Sequence, residues 1–233
     1  MASPIQVQFE KTSVTMEGGA RMSLVYGVPE NLTDGTSCMI IAHGAGGPMY
    51  SPFISHFHSE LARNGILTAK FNFPYMEARK KIPDRTDVPK ASYRRILDEA
   101  RSSPYRPSKM FIGGKSMGGR IASMIAADGA DVDGLFFLGY PLHSPGRFDA
   151  LRDEHLYQIS KPMLFVSGTR DTFARKDLME KVLGKLGANA RVRWVEGGDH
   201  SFKGHGGKDE LARTYQEVLS TLLEWVNNDP RAS

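Results

Sequence analysis

A serine between glycines is the feature of this sequence with the clearest chemical meaning. Residues 114–118 read Gly-Lys-Ser-Met-Gly, which fits the pattern G-x-S-x-G. A short apolar run precedes the pattern and a helical pattern follows it. This is the strand-to-helix context that a nucleophilic serine in a tight turn requires. Glycines permit the turn, and the helix N-terminus favours developing negative charge. Ser116 is therefore a candidate nucleophile.

A serine nucleophile needs a base, and the base needs a carboxylate that orients it. Asp171 and His200 each follow a predicted strand closely, downstream of the serine. The chain order Ser, Asp, His and the placement past strand ends bring all three to one edge of a parallel sheet. Asp199 is the alternative acid, but it adjoins the histidine and is poorly placed to reach Nδ1. The sequence predicts a catalytic triad of Ser116, Asp171 and His200.

Two backbone N–H groups are expected to hold the oxyanion of an acyl-transfer reaction. One belongs to Met117, the residue after the nucleophile, and the other comes from the loop at 43–48. Ala45 is the preferred donor in that loop, with Gly46 next. His43, at the start of the loop, is interpreted as a structural residue whose hydrogen bonds hold the loop in place.

Aromatic residues border the same predicted sheet edge. Phe73 and Tyr75 follow one strand, Tyr140 follows another, and Phe173 follows the candidate acid. They are candidate substrate-binding residues that would line an acyl or alcohol pocket. The alternative is that they only pack the loops together.

Other motifs give weaker signals. The Gly-Lys-Ser run resembles the end of a phosphate-binding loop, but that loop needs glycine where the chain has Lys109. The glycines at 44–47 would need a further glycine at Met49 to form a dinucleotide loop. The remaining histidines show no metal-ligand spacing, and His56 and His58 are predicted to lie on the surface. We therefore predict no metal and no cofactor.

The elements that must position these residues alternate between strands and helices. Periodicity predicts strands at 5–10, 22–28, 38–42, 66–73, 110–112, 135–138, 163–166 and 191–195. It predicts helices at 52–63, 90–102, 117–127, 175–186 and 211–225. The pattern is typical of an α/β fold with a mostly parallel eight-stranded sheet covered by helices on both faces. We expect one domain over residues 1–233, with a frayed tail at 227–233.

Composition excludes several classes of protein. The 233 residues are 40% hydrophobic and 24% charged, which excludes global disorder. We find no apolar run of about 18 residues and no basic-then-apolar leader. The one cysteine, Cys38, lies in an apolar run and is expected to be buried. We therefore expect a cytoplasmic protein without a membrane partner.

Basic residues are concentrated at 78–109. This stretch holds ten Lys and Arg against four acids, within a chain of net charge +4. The stretch suggests either an anionic partner or a solvated helix face. No nucleic-acid-binding motif accompanies it, so nucleic acid is not an expected partner.

The serine pattern at 114–118, with Asp171 and His200, resembles the α/β-hydrolase superfamily. Five segments more narrowly resemble a dienelactone-hydrolase-like branch that includes testis-expressed protein 30 and the third subunit of the non-specific-lethal chromatin complex. They are residues 43–49, 71–75, 139–143, 168–171 and 197–202. The resemblance implies an α/β-hydrolase fold and the triad already named. It implies hydrolysis but no particular substrate, and some relatives serve as parts of complexes.

The segment that carries a lid in this superfamily lies between the sixth and seventh strands. Here it runs over 140–161, 22 residues, which is too short for a large cap domain. The prediction is a serine hydrolase that cleaves small carboxylic esters or thioesters in an open site, with its oligomeric state left open. The alternative is a non-catalytic interaction module that uses the 78–109 region.

Overall fold

The computed structural model describes residues 5–33 and 35–228. Its centre is an eight-stranded sheet. The strands are β1 (Val7–Thr15), β2 (Arg21–Pro29), β3 (Ser37–Ala42), β4 (Leu67–Phe71), β5 (Lys109–Lys115), β6 (Gly134–Leu138), β7 (Met163–Gly168) and β8 (Ala190–Val195). Their order across the sheet is β1-β2-β4-β3-β5-β6-β7-β8. From β3 to β8 all pairings are parallel, whereas β2 pairs antiparallel with both of its neighbours.

Helices cover both faces of the sheet. They are α1 (Pro52–Arg63), α2 (Pro74–Glu77), α3 (Asp87–Arg101), α4 (Met117–Ala127), α5 (Lys176–Leu186) and α6 (Gly207–Asn227). Apolar residues of α3, α4 and α5 form the core on one face, and those of α1 and α6 form it on the other. The prediction of a mostly parallel sheet with helices on both faces is confirmed.

The central strands are buried on both faces, which explains their unbroken apolar runs. All residues of β4, β6 and β7 are buried, and so are five of the six residues of β3. Because the parallel strands point the same way, their carboxyl ends meet at one edge. That edge carries the loops in which the candidate catalytic residues lie.

The connection between β6 and β7 contains only a short 3₁₀ turn, Glu154–Gln158. The prediction that no large cap covers the site is therefore confirmed. No helix among the described residues is long and apolar enough to cross a membrane. Cys38 is fully buried, as predicted. The predicted frayed tail lies outside the described residues from position 229 onward, and α6 includes Asn227.

Several local predictions differ from the structure. The strand β1 extends to Thr15 rather than residue 10, and β4 ends at Phe71 rather than residue 73. The strand β5 continues through the two glycines to Lys115, whereas the sequence predicted an end at residue 112. A Cβ atom on Gly113 would lie 1.9 Å from the carbonyl oxygen of Phe136, so glycine there lets β6 pair closely. The short helix α2 was not predicted. His58 is buried rather than exposed, because α1 presses it against β2, where its Nε2 atom lies 3.2 Å from the oxygen of Val25.

Candidate active site

The serine turn joins β5 to α4 in a strained conformation. Ser116 has φ +50° and ψ −115°, a region that non-glycine residues rarely occupy. Gly114 has φ +148°, and a Cβ atom on it would lie 2.2 Å from the carbonyl oxygen of Ala42. A Cβ atom on Gly118 would lie 2.5 Å from the same oxygen. Both glycines are therefore required by the close approach of β3, and the turn lifts Ser116 to the sheet edge.

The predicted acid and base lie together. Nδ1 of His200 is 2.8 Å from Oδ2 of Asp171. The other carboxylate oxygen, Oδ1, accepts a hydrogen bond from the N–H of Phe173 at 2.8 Å. Asp171 is 4% exposed, so its carboxylate is shielded from solvent and oriented by its own loop.

Asp199, the alternative acid, has a different role. Its Oδ1 atom accepts hydrogen bonds from the N–H groups of Ser201 at 2.7 Å and Lys203 at 3.0 Å. The carboxylate therefore stabilises the turn that follows β8. This leaves Asp171 as the carboxylate that contacts the His200 imidazole.

Ser116 and His200 open into one cleft of about 420 Å³. Its walls come from the loop after β3, the start of α1, the serine turn and the loops after β7 and β8. The lining residues are Gly44, Ala45, Gly46, Gly47, Ser51, Phe53, Ile54, Lys115, Ser116, Phe173, His200 and Ser201. The mixture of apolar walls, glycine backbone and one cation suits a small polar group attached to a short apolar chain.

The loop after β3 is held by His43. Its Nδ1 atom lies 2.8 Å from the carbonyl oxygen of Gly44, and its Nε2 atom accepts the N–H of Phe73 at 3.1 Å. Since the carbonyl can only accept, the imidazole is neutral with its proton on Nδ1. Burial lowers the pKa of His43 to about 4, which favours the neutral form. The prediction that His43 is a structural residue is confirmed.

Ala45 and Met117, the predicted oxyanion donors, lie in the loop after β3 and at the start of α4. Ala45 lines the cleft, and the hydroxyl of Tyr75 donates a hydrogen bond to its carbonyl oxygen at 3.2 Å. Met117 is the first residue of α4, so its N–H has no partner within the helix. Both backbone N–H groups are thus carried by segments that border Ser116.

The four predicted substrate-binding residues do not lie together. Phe173 lines the cleft, and its ring centroid is 4.5 Å from that of His200. Phe73, Tyr75 and Tyr140 are buried in the core beneath the loops and do not line this cleft. Their role is the packing alternative: Tyr75 supports the loop after β3, and the Tyr140 hydroxyl donates to the carbonyl oxygen of Arg152 at 2.7 Å. The expectation that these three line the pocket is corrected accordingly.

Sequence reasoning missed five side chains of the cleft, which are those of Ser51, Phe53, Ile54, Lys115 and Ser201. Phe53 was assigned only to a helix, and Lys115 only to the variable position of the serine pattern. The alternation of side chains along a strand could have located Lys115. Phe111, Gly113 and Lys115 are alternate residues of β5, so they share the face that α1 covers. Extending the predicted strand to residue 115 would have placed it beside α1.

The fold family follows from comparison with known proteins. Residues 35–227 match the model of a family described as alpha/beta hydrolase domain. The chain belongs to the alpha/beta hydrolase family. Its fold is similar to that of an α/β serine hydrolase without lid from Xanthomonas campestris, with a TM-score of 0.74, 17% identity and 97% of each chain covered.

Two further solved structures are similar in fold to this chain. Dienelactone hydrolase from Anabaena variabilis has a TM-score of 0.73 and 19% identity, with 94% of this chain and 98% of that chain covered. Est1E from Butyrivibrio proteoclasticus with bound ferulic acid has a TM-score of 0.76 and 16% identity, with 93% and 99% covered. At these identities the structural likeness establishes the fold.

The basic 78–109 region of this alpha/beta hydrolase lies away from the cleft, since none of the cleft residues belongs to it. Several of its cations pair with acids. Lys90 and Arg94 both contact Asp128 at the end of α4, and Arg95 pairs with Glu99 one turn along α3. These contacts favour a solvated helix face over the interaction-module alternative. Among the described residues, no group of three His, Cys, Asp or Glu side chains could hold a metal ion.

Proposed function

We propose that this protein is a serine hydrolase that cleaves carboxylic esters or thioesters through an acyl-enzyme on Ser116. The observation that carries the proposal is the pairing of His200 with the shielded Asp171 carboxylate at the mouth of the cleft that Ser116 also lines. Acyl transfer of this kind requires a nucleophile, a base and an acid that orients the base, all at the same edge of the sheet.

In the proposed mechanism, Oγ of Ser116 attacks the acyl carbon while Nε2 of His200 takes the hydroxyl proton. The N–H groups of Met117 and Ala45 bind the resulting oxyanion. The imidazolium, held by Asp171, returns the proton to the departing alcohol or thiol as the carbon–oxygen or carbon–sulfur bond breaks. Water then attacks the acyl-enzyme with the same base, which releases the acid and restores the serine hydroxyl.

The His200–Asp171 contact supports the role of each nitrogen. Because Asp171 occupies Nδ1, the proton of the neutral imidazole is held there, and Nε2 remains as the acceptor. A general base must have such an unprotonated nitrogen to accept the proton. The proposed reaction uses water together with side chains and backbone of this chain and includes no cofactor.

We further propose membership in the dienelactone-hydrolase-like branch of the family. Support comes from the motifs that resemble testis-expressed protein 30 and the third non-specific-lethal subunit, and from the similarity in fold to dienelactone hydrolase. The open cleft and the absence of a cap suit a small ester or thioester.

The test compares wild type with Ser116→Ala on p-nitrophenyl acetate and on an acetyl thioester. We expect the variant to lose about 10³-fold or more in kcat while its melting temperature stays close to that of wild type. If wild type and Ser116→Ala turn over either substrate at equal rates, the activity belongs to a group other than Ser116. No turnover of any ester or thioester by wild type would contradict the proposal itself.

A further inference from the structure

Lys115 is a cation at the cleft wall that the proposed chemistry does not use. It is the last residue of β5, next to the nucleophile, and its half-buried side chain reaches toward the loop after β8. There its ammonium group donates a hydrogen bond to the carbonyl oxygen of His200. The residue beside the proposed nucleophile therefore contacts the backbone of the proposed base.

The surroundings of this ammonium group are mostly uncharged. On the α1 side it lies over the ring of Phe53, 5.4 Å from the ring centroid. Within the described part of the chain Lys115 takes part in no ion pair. The acids that act on it from the loops after β7 and β8 are Asp171 and Asp199, and both favour its charged form. Desolvating a cation without an ion pair is unfavourable, so an apolar side chain would serve packing better at this position.

The fold leaves space for the contact at Gly139. This residue follows β6 with φ +69°, which favours glycine. A Cβ atom there would lie 2.8 Å from the carbonyl oxygen of His200 and 2.9 Å from Nζ of Lys115. A side chain at position 139 would therefore displace one of the two partners. Gly139 thus leaves room for the side chain of Lys115 to reach from the serine turn to the backbone of His200.

We propose that Lys115 is a positioning residue whose ammonium group fixes the backbone of His200 relative to the turn that carries Ser116. The inference rests on the proposed function. Asp171 holds the imidazole of His200 through Nδ1, and Lys115 holds the main chain of the same residue. With both ends held, Nε2 has a defined position toward the nucleophile. A charge-assisted hydrogen bond is about twice as strong as a neutral one, so the cation does this better than a neutral donor.

The charge of Lys115 gives the inference a specific readout. Burial lowers the pKa of Lys115 from its ordinary value to about 8, with Asp171 and Asp199 opposing the shift. The ammonium form is present below that pH and is lost above it. If the charge positions His200, activity declines as the pH rises through about 8, and the decline depends on Lys115.

The experiment measures kcat and kcat/KM for p-nitrophenyl acetate from pH 6 to pH 9.5, at the wavelength where the phenol and phenolate absorb equally. The variants are Lys115→Met, which keeps the chain length without charge, and Lys115→Arg, which keeps a cation at all these pH values. The matched control is Lys70→Met. Lys70 is also a lysine of lowered pKa beside an aromatic ring, that of Tyr50, but it lies outside the cleft.

We expect Lys115→Met to lower kcat about 10- to 100-fold at pH 7 with a much smaller change in KM, since displacing a catalytic group by about 1 Å costs on that order. We also expect it to abolish the decline above pH 8. Lys115→Arg is expected to recover part of kcat and also to lack the decline, and Lys70→Met is expected to keep the wild-type profile.

A folded Lys115→Met variant with wild-type kcat, or with the wild-type decline, would overturn the inference. If Lys115→Met does not fold, the Lys115→Arg profile decides, and a decline at the wild-type pH overturns it. These results are separate from failure of the proposed function, which is signalled by absence of ester and thioester turnover in wild type or by full activity in Ser116→Ala.

Discussion

Nδ1 of His200 lies 2.8 Å from Oδ2 of Asp171, and the carboxylate that makes this contact is almost excluded from solvent. The neighbouring acid, Asp199, has its carboxylate engaged with backbone N–H groups of its own turn. Two adjacent loops thus present two carboxylates, of which one contacts the imidazole. This difference allows the role of the acid to be tested with a matched pair of variants.

Asp171→Asn is expected to lower kcat by about 10³- to 10⁴-fold, because an amide no longer holds the imidazole in the tautomer that leaves Nε2 as the acceptor. Asp199→Asn is the matched control and is expected to stay within about threefold of wild type, with a loss of stability of about 1 kcal/mol from the weakened turn. Steady-state kinetics and thermal unfolding of both variants measure this. A larger loss of kcat in Asp199→Asn than in Asp171→Asn would reverse the assignment.

Short acyl chains are expected to be the better substrates. The cleft of about 420 Å³ is walled by Phe53, Ile54 and Phe173, and the connection between β6 and β7 adds no cap over it. Each methylene gains about 0.8 kcal/mol only where an apolar wall removes it from water. Measurement of kcat/KM for acetyl, butyryl, octanoyl and palmitoyl p-nitrophenyl esters is expected to peak at the two shorter chains. A steady rise to palmitoyl would imply an apolar channel and contradict the expectation.

Gly118→Ala is expected to destabilise the fold and reduce activity. Its Cβ atom would lie 2.5 Å from the oxygen of Ala42 and 2.7 Å from that of His43, so β3 or the turn must move. Overpacking of this kind costs about 1–3 kcal/mol, or roughly 2–12 °C in melting temperature for a domain of this size.

The matched control for that variant is Gly184→Ala. Gly184 lies in α5, and apart from the nearby backbone of that helix no atom of the described residues lies within 4 Å of an added Cβ atom. The same substitution there is expected to stabilise by about 0.5–1 kcal/mol, since alanine has the higher helix propensity. Equal effects of the two substitutions on melting temperature would show that the close approach of β3 does not constrain the turn.

Stability is expected to fall as the pH drops below 6.5. Burial lowers the pKa of His58 to about 3 and that of His43 to about 4. The unfolded chain therefore takes up protons near pH 6.5 that the folded chain does not accept until lower pH, so unfolding becomes more favourable in this window. As the pH falls from about 6.5 toward the lowered pKa, each of these histidines reduces the free energy of unfolding by an amount on the order of 3 kcal/mol.

His58→Leu tests this dependence. It removes one of these groups together with a buried Nδ1 atom that has no hydrogen-bond partner among the described residues. Urea unfolding from pH 7.5 to 4.5 is expected to show a shallower loss of stability in the variant, by up to about 1.4 kcal/mol per pH unit. An unchanged slope would show that His58 titrates alike in the folded and unfolded chains.

Sequence patterns were sufficient to predict the sheet and the contact between Asp171 and His200. Apolar runs mark strands buried on both faces, and parallel strands end at one edge, so residues that follow them come together. Patterns were insufficient where a contact depends on how closely two strands approach. Gly113 looked like a strand end, but it continues β5 because β6 lies too near for a side chain.

Burial of loop residues was the other part that sequence could not specify. Tyr75 and Tyr140 follow strand ends and were placed at the cleft, but their rings turn into the core while their hydroxyls donate to loop carbonyls. An aromatic residue with a polar tip is compatible with either position. Which one it takes depends on the shape of the loop above it, and local periodicity carries no information about that shape.

Covalent labelling tests the central claim most directly. Wild-type protein is treated with a fluorophosphonate, and the adduct is measured by intact mass and located by peptide mapping. The same treatment is applied to Ser116→Ala and to Ser51→Ala and Ser201→Ala, which remove the other two serines that line the cleft. We predict one adduct on Ser116 in wild type and in both control variants, and none in Ser116→Ala. An adduct on Ser51 or Ser201, or labelling of Ser116→Ala at the wild-type rate, would contradict the assignment of Ser116 as the nucleophile.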